Sequence, residues 1–319
     1  MSMKSVNLYL SRSLFVRLCV TCLLSAAFTL KLGYSESGSI LAHSPESTVN
    51  LPSGPEPVKP MPVTYRSFAI KGAEGKKSLA RLRSEIGEEK LAIALKLNRI
   101  DAQHLHADVT LVIPEQDADL ITYSPFPHNL ETARDTPKLL LVSRRVQAFG
   151  AYEFGKLVRW GPTSTGKKAT PTPSGLYHTN WKSKATRSSV NAAWLLPWYF
   201  NIDNNTGISF HQYDLPGYPA SHGCIRLLAD DGAWIYGWAD QWTLSTDRRR
   251  VETHGTPVIV FGEYDYRTPA PWKGLVMDYC AASVTGVELD ESLRRYLPVI
   301  LQKASERRTD AGQTATLIP

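Results

Sequence analysis

Phe210-His211-Gln212-Tyr213-Asp214-Leu215-Pro216-Gly217-Tyr218-Pro219-Ala220-Ser221-His222-Gly223-Cys224-Ile225-Arg226 is the stretch in which this chain concentrates its chemistry. A cysteine nucleophile needs a base to take its proton, donors for an oxyanion, and groups that seat a substrate. All three are within reach here. Ser221-His222-Gly223-Cys224 puts a thiol on a turn loosened by glycine, and the amides of Gly223 and Cys224 are free to face a reacting carbonyl. A lone cysteine would ordinarily be read as a buried structural thiol. Between two glycines, two histidines and an arginine, that reading gives way to a nucleophile.

The order His211, an intervening loop, then Ser221-His222-Gly223-Cys224-Ile225-Arg226 resembles the catalytic signature of the L,D-transpeptidase (YkuD-type) family of bacterial cell-wall enzymes. Residue by residue, the resemblance puts the nucleophile at Cys224 and the base at His211, with His222 as a site-shaping neighbour that ranks second as base. Arg226 is suited to hold a substrate carboxylate in a bidentate pair. Ser221, Tyr213 and Tyr218 are expected to line the substrate side. A metal reading of His211, His222 and Cys224 fails on spacing, because no carboxylate or cysteine pair completes a tetrahedral set. No cofactor is implied.

Working outward, residues 139–142, 146–152 and 156–160 read as strands, as do 175–181, 198–202, 208–211 and 258–261. One helix is expected from about 229 to 238, capped by Asp230 or Asp231. Short strands with few helices suggest a mainly β catalytic domain, a sandwich or barrel, over residues 138–262. Gly161-Pro162-Thr163-Ser164-Thr165-Gly166-Lys167-Lys168 falls one residue short of a P-loop, since Lys168 stands where a hydroxyl must meet Mg²⁺. It instead resembles the loop after the third strand of the transpeptidase domain.

Upstream, a strand at 66–71, apolar helical spacing over 78–86 and 88–97, and a strand at 110–114 give a small α+β unit over residues 62–116. It resembles LysM, a peptidoglycan-binding module, through Leu95-Lys96-Leu97-Asn98 and Val112-Ile113-Pro114. Its usual Gly-Asp-Thr-Leu is replaced by Gly75-Lys76-Lys77-Ser78-Leu79. Residues 117–137 read as a connector. Residues 263–319 read as an extension outside the catalytic domain, helical over 288–303 and frayed over the last dozen residues. At the amino terminus, Lys4, Arg12 and Arg17 precede an apolar run over 18–30, which reads as an export signal ending near residue 27. A Ser/Pro/Gly-rich tether over 28–61 follows. Membrane contact is expected only through an uncleaved signal, and the location is the periplasm or cell envelope. Of the four cysteines, two lie in this leader, and Cys224 and Cys280 are both expected to be free.

The net charge of +6 and pI near 9.0 suit an acidic or polyanionic neighbour, but no nucleic-acid-binding signature is present. The resemblance implies an exported acyltransferase acting on peptidoglycan stem peptides, with glycan strands as a further contact. Cys224 would attack the carbonyl of the third stem residue, and an amine of a neighbouring stem would resolve the thioester into a 3→3 cross-link. Resolution by water would make the protein an L,D-carboxypeptidase. Resolution by a protein lysine would attach that protein to the wall.

Overall fold

The computed structural model describes residues 63–70, 75–105 and 108–316, all within one compact unit spanning 59–319. The expected signal and tether lie outside the described residues.

The catalytic region is built on two sheets. The first has five strands in the order β5-β4-β3-β13-β6: β3 (Leu139–Ser143), β4 (Ala148–Glu153), β5 (Lys156–Pro162), β6 (Gly175–His178) and β13 (Pro257–Phe261). Strand β3 pairs antiparallel with β4 and parallel with β13, with Leu140 opposite Val258. It is buried on both faces, which explains its unbroken apolar run Leu139-Leu140-Leu141-Val142. Alternation sends Leu140 and Val142 one way, to a core shared with Phe200, Phe210 and Ile225. Leu139 and Leu141 go the other way, to a core shared with Trp160, Trp272 and Leu293.

The second sheet has the order β10-β9-β8-β7: β7 (Lys182–Arg187), β8 (Leu195–Asp203), β9 (Ile208–Gln212) and β10 (Ile225–Leu227). The region is mainly β with few helices, as expected. Strand β7 was not expected from the sequence: Lys-Ser-Lys-Ala-Thr-Arg has no apolar face because it lies at a sheet edge. A two-stranded hairpin, β11 (Thr243–Leu244) and β12 (Val251–Thr253), completes the strands of this region.

Helix α2 (Ala229–Trp238) falls where expected, but its cap does not. The N-cap is Leu228, without a side-chain hydrogen bond, and Asp230 and Asp231 sit in the first turn. Asp231 is fully buried, and its carboxylate is spent on Lys96 and Arg159.

The amino-terminal unit has the expected strand–helices–strand order. Strand β1 (Tyr65–Ile70) pairs antiparallel with β2 (Val109–Pro114), and between them α1 (Gly75–Leu97) is interrupted at Gly87, whose φ of 77° takes it out of the helical region. The sequence places this unit behind a connector, and the structure packs it into the catalytic region. Lys96 Nζ lies 2.9 Å from Asp231 Oδ2 and 3.0 Å from Asp230 Oδ2. Arg99 is buried, donates to the carbonyls of Val146, Lys96 and Leu97, and stands over the rings of Trp160 and Trp272. Burial pushes its guanidinium down to about 9.

Residues 263–316 are likewise no loose extension. Trp272 on a short 3-10 turn (Pro271–Val276) and Leu289, Leu293 and Ile300 of α3 (Gly286–Thr316) enter the core behind the five-stranded sheet. The helix also continues through most of the segment expected to fray.

Candidate active site

Strands β9 and β10 run parallel, with Ile225 opposite Phe210, Arg226 opposite His211 and Leu227 opposite Gln212. A parallel return needs about a dozen residues of connection, and the loop between His211 and Cys224 supplies it. Phe210 and Ile225 point into the core, so the alternate residues face away from it together: Ser209, His211 and Tyr213 from one strand, Cys224 and Arg226 beside the other. His211, Tyr213, Cys224 and Arg226 open on a cleft of about 370 Å³, walled opposite by the β7–β8 hairpin and its connecting loop, while Ser209 stays buried beneath it. Trp194 of that loop stands 5.5 Å from the His222 ring and 6.3 Å from Tyr213.

Cys224 Sγ lies 3.3 Å from Ser209 Oγ and 3.7 Å from the Gly207 carbonyl. With the thiol proton directed at that carbonyl, the Ser209 hydroxyl is free to donate to sulfur. Sequence reasoning missed Ser209. Its alternation with His211 was readable, but its place beside Cys224 depends on a parallel register that local sequence does not encode.

His211 is 4% exposed, and its Nδ1 lies 3.0 Å from the Gln212 carbonyl. The Nδ1 proton donates to that oxygen, which leaves Nε2 as the basic nitrogen. Burial pushes the imidazole down to about 4, with the Gln212 contact opposing and the Arg226 charge assisting, so the ring is neutral at physiological pH.

The Ser-His-Gly-Cys turn is held from below. Ser221 Oγ donates to Cys224 O (2.6 Å) and accepts from Gly223 N (3.0 Å). Ser221, expected to contact substrate, is therefore buried and taken up in shaping the turn. The Gly223 amide, expected among the oxyanion donors, is occupied by that same hydroxyl. The Cys224 amide has no hydrogen-bond partner among the described residues. Gly223 has φ of 119°, a backbone that only glycine adopts without strain. The loop after β5 runs alongside, through isolated bridges of Ser164 with Arg226 and Gly166 with Ser221. Thr172 Oγ1 donates to Gly223 O (2.7 Å) and Lys167 Nζ to His222 Nε2 (3.1 Å). His222 is thereby turned toward Lys167. Among the described residues no group of three His, Cys, Asp or Glu side chains is placed to hold a metal.

Arg226 lines the cleft, stacks over Tyr213 at 4.6 Å and donates to the Asp214 carbonyl (3.3 Å). No carboxylate pairs with it among the described residues, so its fork is open to an incoming one. Tyr218, expected in the cleft, is exposed and does not line it; its contribution is a carbonyl that accepts from Ser164 Oγ (2.8 Å).

The loop from His211 to Cys224 is also gripped by the amino-terminal unit. Asp101 N donates to Leu215 O (3.0 Å), Asp101 Oδ2 accepts from Leu215 N (2.7 Å), and Ile100 bridges to Pro216. No sequence pattern links these segments.

Residues 137–260 match the family model of the L,D-transpeptidase catalytic domain (YkuD). Solved structures similar to the chain include an L,D-transpeptidase from Mycobacterium smegmatis, at 22% identity and a TM-score of 0.31, covering 40% of this chain and 59% of that one. Another is the L,D-transpeptidase (Yku) from Stackebrandtia nassauensis, at 21% identity and a TM-score of 0.36, covering 61% and 93%. A third is L,D-transpeptidase 3 from Mycobacterium tuberculosis in complex with a faropenem-derived adduct, at 20% identity and a TM-score of 0.32, covering 49% and 74%. The chain spans about three fifths of the length of the Mycobacterium smegmatis protein. No curated protein matches it.

Proposed function

We propose that this protein is a peptidoglycan L,D-transpeptidase of the cell envelope, with Cys224 as nucleophile and His211 as its base. The observation that carries the reading is a neutral, Nδ1-tethered imidazole on β9 and a thiol directly before the parallel strand β10, opening on one cleft with an arginine that no carboxylate pairs among the described residues. Cys224 gives its proton to His211 Nε2, and the sulfur adds to the carbonyl of the third stem residue. The Cys224 amide stabilises the oxyanion. Collapse expels the terminal D-residue, whose amine takes the proton from His211, and a thioester remains. An acceptor amine resolves it, returning a proton through His211 and forming the 3→3 cross-link. Arg226 holds a carboxylate of the donor stem, and Tyr213 flanks it. The L,D-carboxypeptidase outcome and attachment of a protein lysine share the same acyl-enzyme and differ only in the acceptor. No metal or cofactor takes part.

The β1–α1–β2 unit fits a LysM-like module in its order of elements and in its two helical segments parted at Gly87. Its Asn98 ties the helix end to β2, donating to Ala94 O and Val112 O and accepting from Val112 N. A signal at 1–27 delivers the chain to the envelope.

A carbapenem tests the reading, since its strained carbonyl is open to a thiolate beside an oxyanion donor. Intact-mass spectrometry should show one adduct, lost in Cys224→Ala and kept in Cys280→Ala. Absence of an adduct, or an adduct that survives Cys224→Ala, would overturn the assignment. With acylation established, muropeptide analysis after incubation with tetrapeptide stems separates cross-linking from hydrolysis.

A further inference from the structure

The catalytic cleft carries its charge at one end. Toward the start of β9 its wall is neutral: Asn201 pairs with Ser209 across the sheet, and Trp181 Nε1 donates to Asn204 Oδ1 (3.0 Å). Strand β8 runs antiparallel to β9, so its own start, Leu195 beside Arg187, lies toward the other end, with Tyr213. There the contacts pass from the floor to the opposite wall. Arg226 stands over Tyr213, Tyr213 lies 6.3 Å from Trp194, and the Trp194 carbonyl accepts from the amide of Ser188, next to Arg187. Arg226 and Arg187 both line the cleft. Lys167 adds a third cation behind His222, whose ring packs on Trp194.

Among the described residues no Asp or Glu lines this cleft. Asp214 meets Arg226 only through its backbone carbonyl, and the Asp203 carboxylate is taken up in its own turn by Asn205 N and Thr206 Oγ1. Arg187, exposed at the mouth, donates from Nη1 to Ala192 O (2.8 Å), which steadies its fork, and no carboxylate among the described residues pairs with it. Burial pushes the Arg226 guanidinium below its ordinary value, as befits a charge drawn inward without a counter-ion.

Two arginine forks open on one cleft suit two carboxylates. The terminal D-residue of a donor stem supplies one, and Arg226, two residues past the thiol, is placed to take it. Arg187 faces it from the opposite wall, where the far end of a long side chain on the third stem residue arrives. A side chain ending in an ammonium, alone or beside a carboxamide, would bring net positive charge to this end with no acid to receive it. A free carboxylate beside that ammonium removes the conflict.

We propose that Arg187 is a specificity-determining residue, which with Arg226 restricts the donor to stems bearing a second free carboxylate on the side chain of their third residue. This rests on the transpeptidase reading of Cys224 and His211 and extends it to the chemistry of the donor.

Tetrapeptide donors that differ only at the third residue test it: diaminopimelate, diaminopimelate amidated at its side-chain carboxyl, and lysine. Release of the terminal D-residue gives kcat/KM for each. The free acid should exceed the other two by at least about tenfold, the worth of a hydrogen bond to a charged group. Arg187→Gln should cut kcat/KM for the free acid about tenfold, leave the amide and lysine stems within about twofold, and so erase the preference. Arg187→Lys, which keeps the charge and loses the fork, should retain a preference of about threefold. Arg226→Gln should slow all the stems together, because they share the terminal carboxylate. Equal use of the free acid and the amide by the wild type would overturn the proposal. So would an Arg187→Gln variant that slows every stem alike, as a merely structural role would dictate. A carbapenem adduct at Cys224 with no preference among the stems would sink the selection alone, whereas no adduct and no D-residue release would sink the transpeptidase reading with it.

Discussion

Asp101→Ala tests whether the amino-terminal unit holds the catalytic loop in place. Three backbone amides donate to this carboxylate: Leu215 at 2.7 Å on Oδ2, and Gln103 at 2.9 Å and His104 at 3.1 Å on Oδ1. Leu215 is fully buried, so its amide loses its partner with no water to replace it, at about 1–3 kcal/mol. The two Oδ1 bonds cap the 3-10 turn Ala102–His104, and losing a cap costs about 1 kcal/mol. The sum, about 2–4 kcal/mol, is a large share of a stability of about 5–15 kcal/mol but leaves the protein folded. Denaturant titration should show that loss, with Asp101→Asn recovering most of it because the amide oxygen still accepts from Leu215. In the alanine variant the loop between His211 and Cys224 loses the side-chain part of its anchor and keeps only the backbone contacts of Asp101 with Leu215 and Ile100 with Pro216. Carbapenem acylation should therefore slow about tenfold, as a local opening worth about 1.4 kcal/mol would dictate. Asp101→Asn should acylate near the wild-type rate. A loss below about 0.5 kcal/mol, or a full loss with wild-type acylation, would refute the idea that this contact positions the loop.

His211→Ala should slow acylation about 10²–10⁴-fold, the usual worth of a general base, and His222→Ala by less, because His222 faces Lys167. Stopped-flow rates decide the order. Since His211 is depressed to about 4, its base form persists as the pH falls below 6.5, and the His211-dependent acid limb of the rate should lie near pH 4. The same depression makes stability pH-dependent. Between pH 6.5 and 4 the unfolded imidazole takes a proton that the folded one refuses, so stability should fall as pH falls, by up to about 3 kcal/mol from His211 alone; urea midpoints at pH 7 and pH 4.5 measure it. A chain beginning near Pro137 should not fold into a soluble enzyme, because it lacks Lys96 and Arg99 and leaves Asp231 with one basic partner and Trp160 and Trp272 uncovered. A monomeric, carbapenem-reactive truncate would show that the catalytic region stands without the amino-terminal unit.

Most strands were readable where burial imposed a pattern, though β10, three residues directly after Cys224, was too short to show one. β3 and β13 are apolar throughout because both faces are covered, and α2 is framed by its apolar run. β7 escaped because a polar edge strand has no such pattern. His211, Cys224 and Arg226 were legible because their chemistry is compressed into one short stretch, and the structure brings all three to one cleft. Asp231 was misread as a cap because an acid at a helix start has two uses, and only tertiary structure shows Lys96 and Arg159 around it. The docking of Lys96 and Arg99 was invisible for a related reason. The partners that justify their burial lie far along the chain: Asp230 and Asp231 for Lys96, and Val146, Trp160 and Trp272 for Arg99.

The parallel pairing of β3 with β13 has a kinetic consequence. Leu140 meets Val258 only after the whole catalytic region between them has been made, so the middle of the five-stranded sheet is a late, long-range contact. Until then β3, apolar on both faces, has one open edge of the kind that pairs with other chains. A chain cut short before residue 257 would keep that edge exposed. Aggregation of nascent or clipped chains, more than marginal stability of the finished fold, is therefore the hazard that this topology carries.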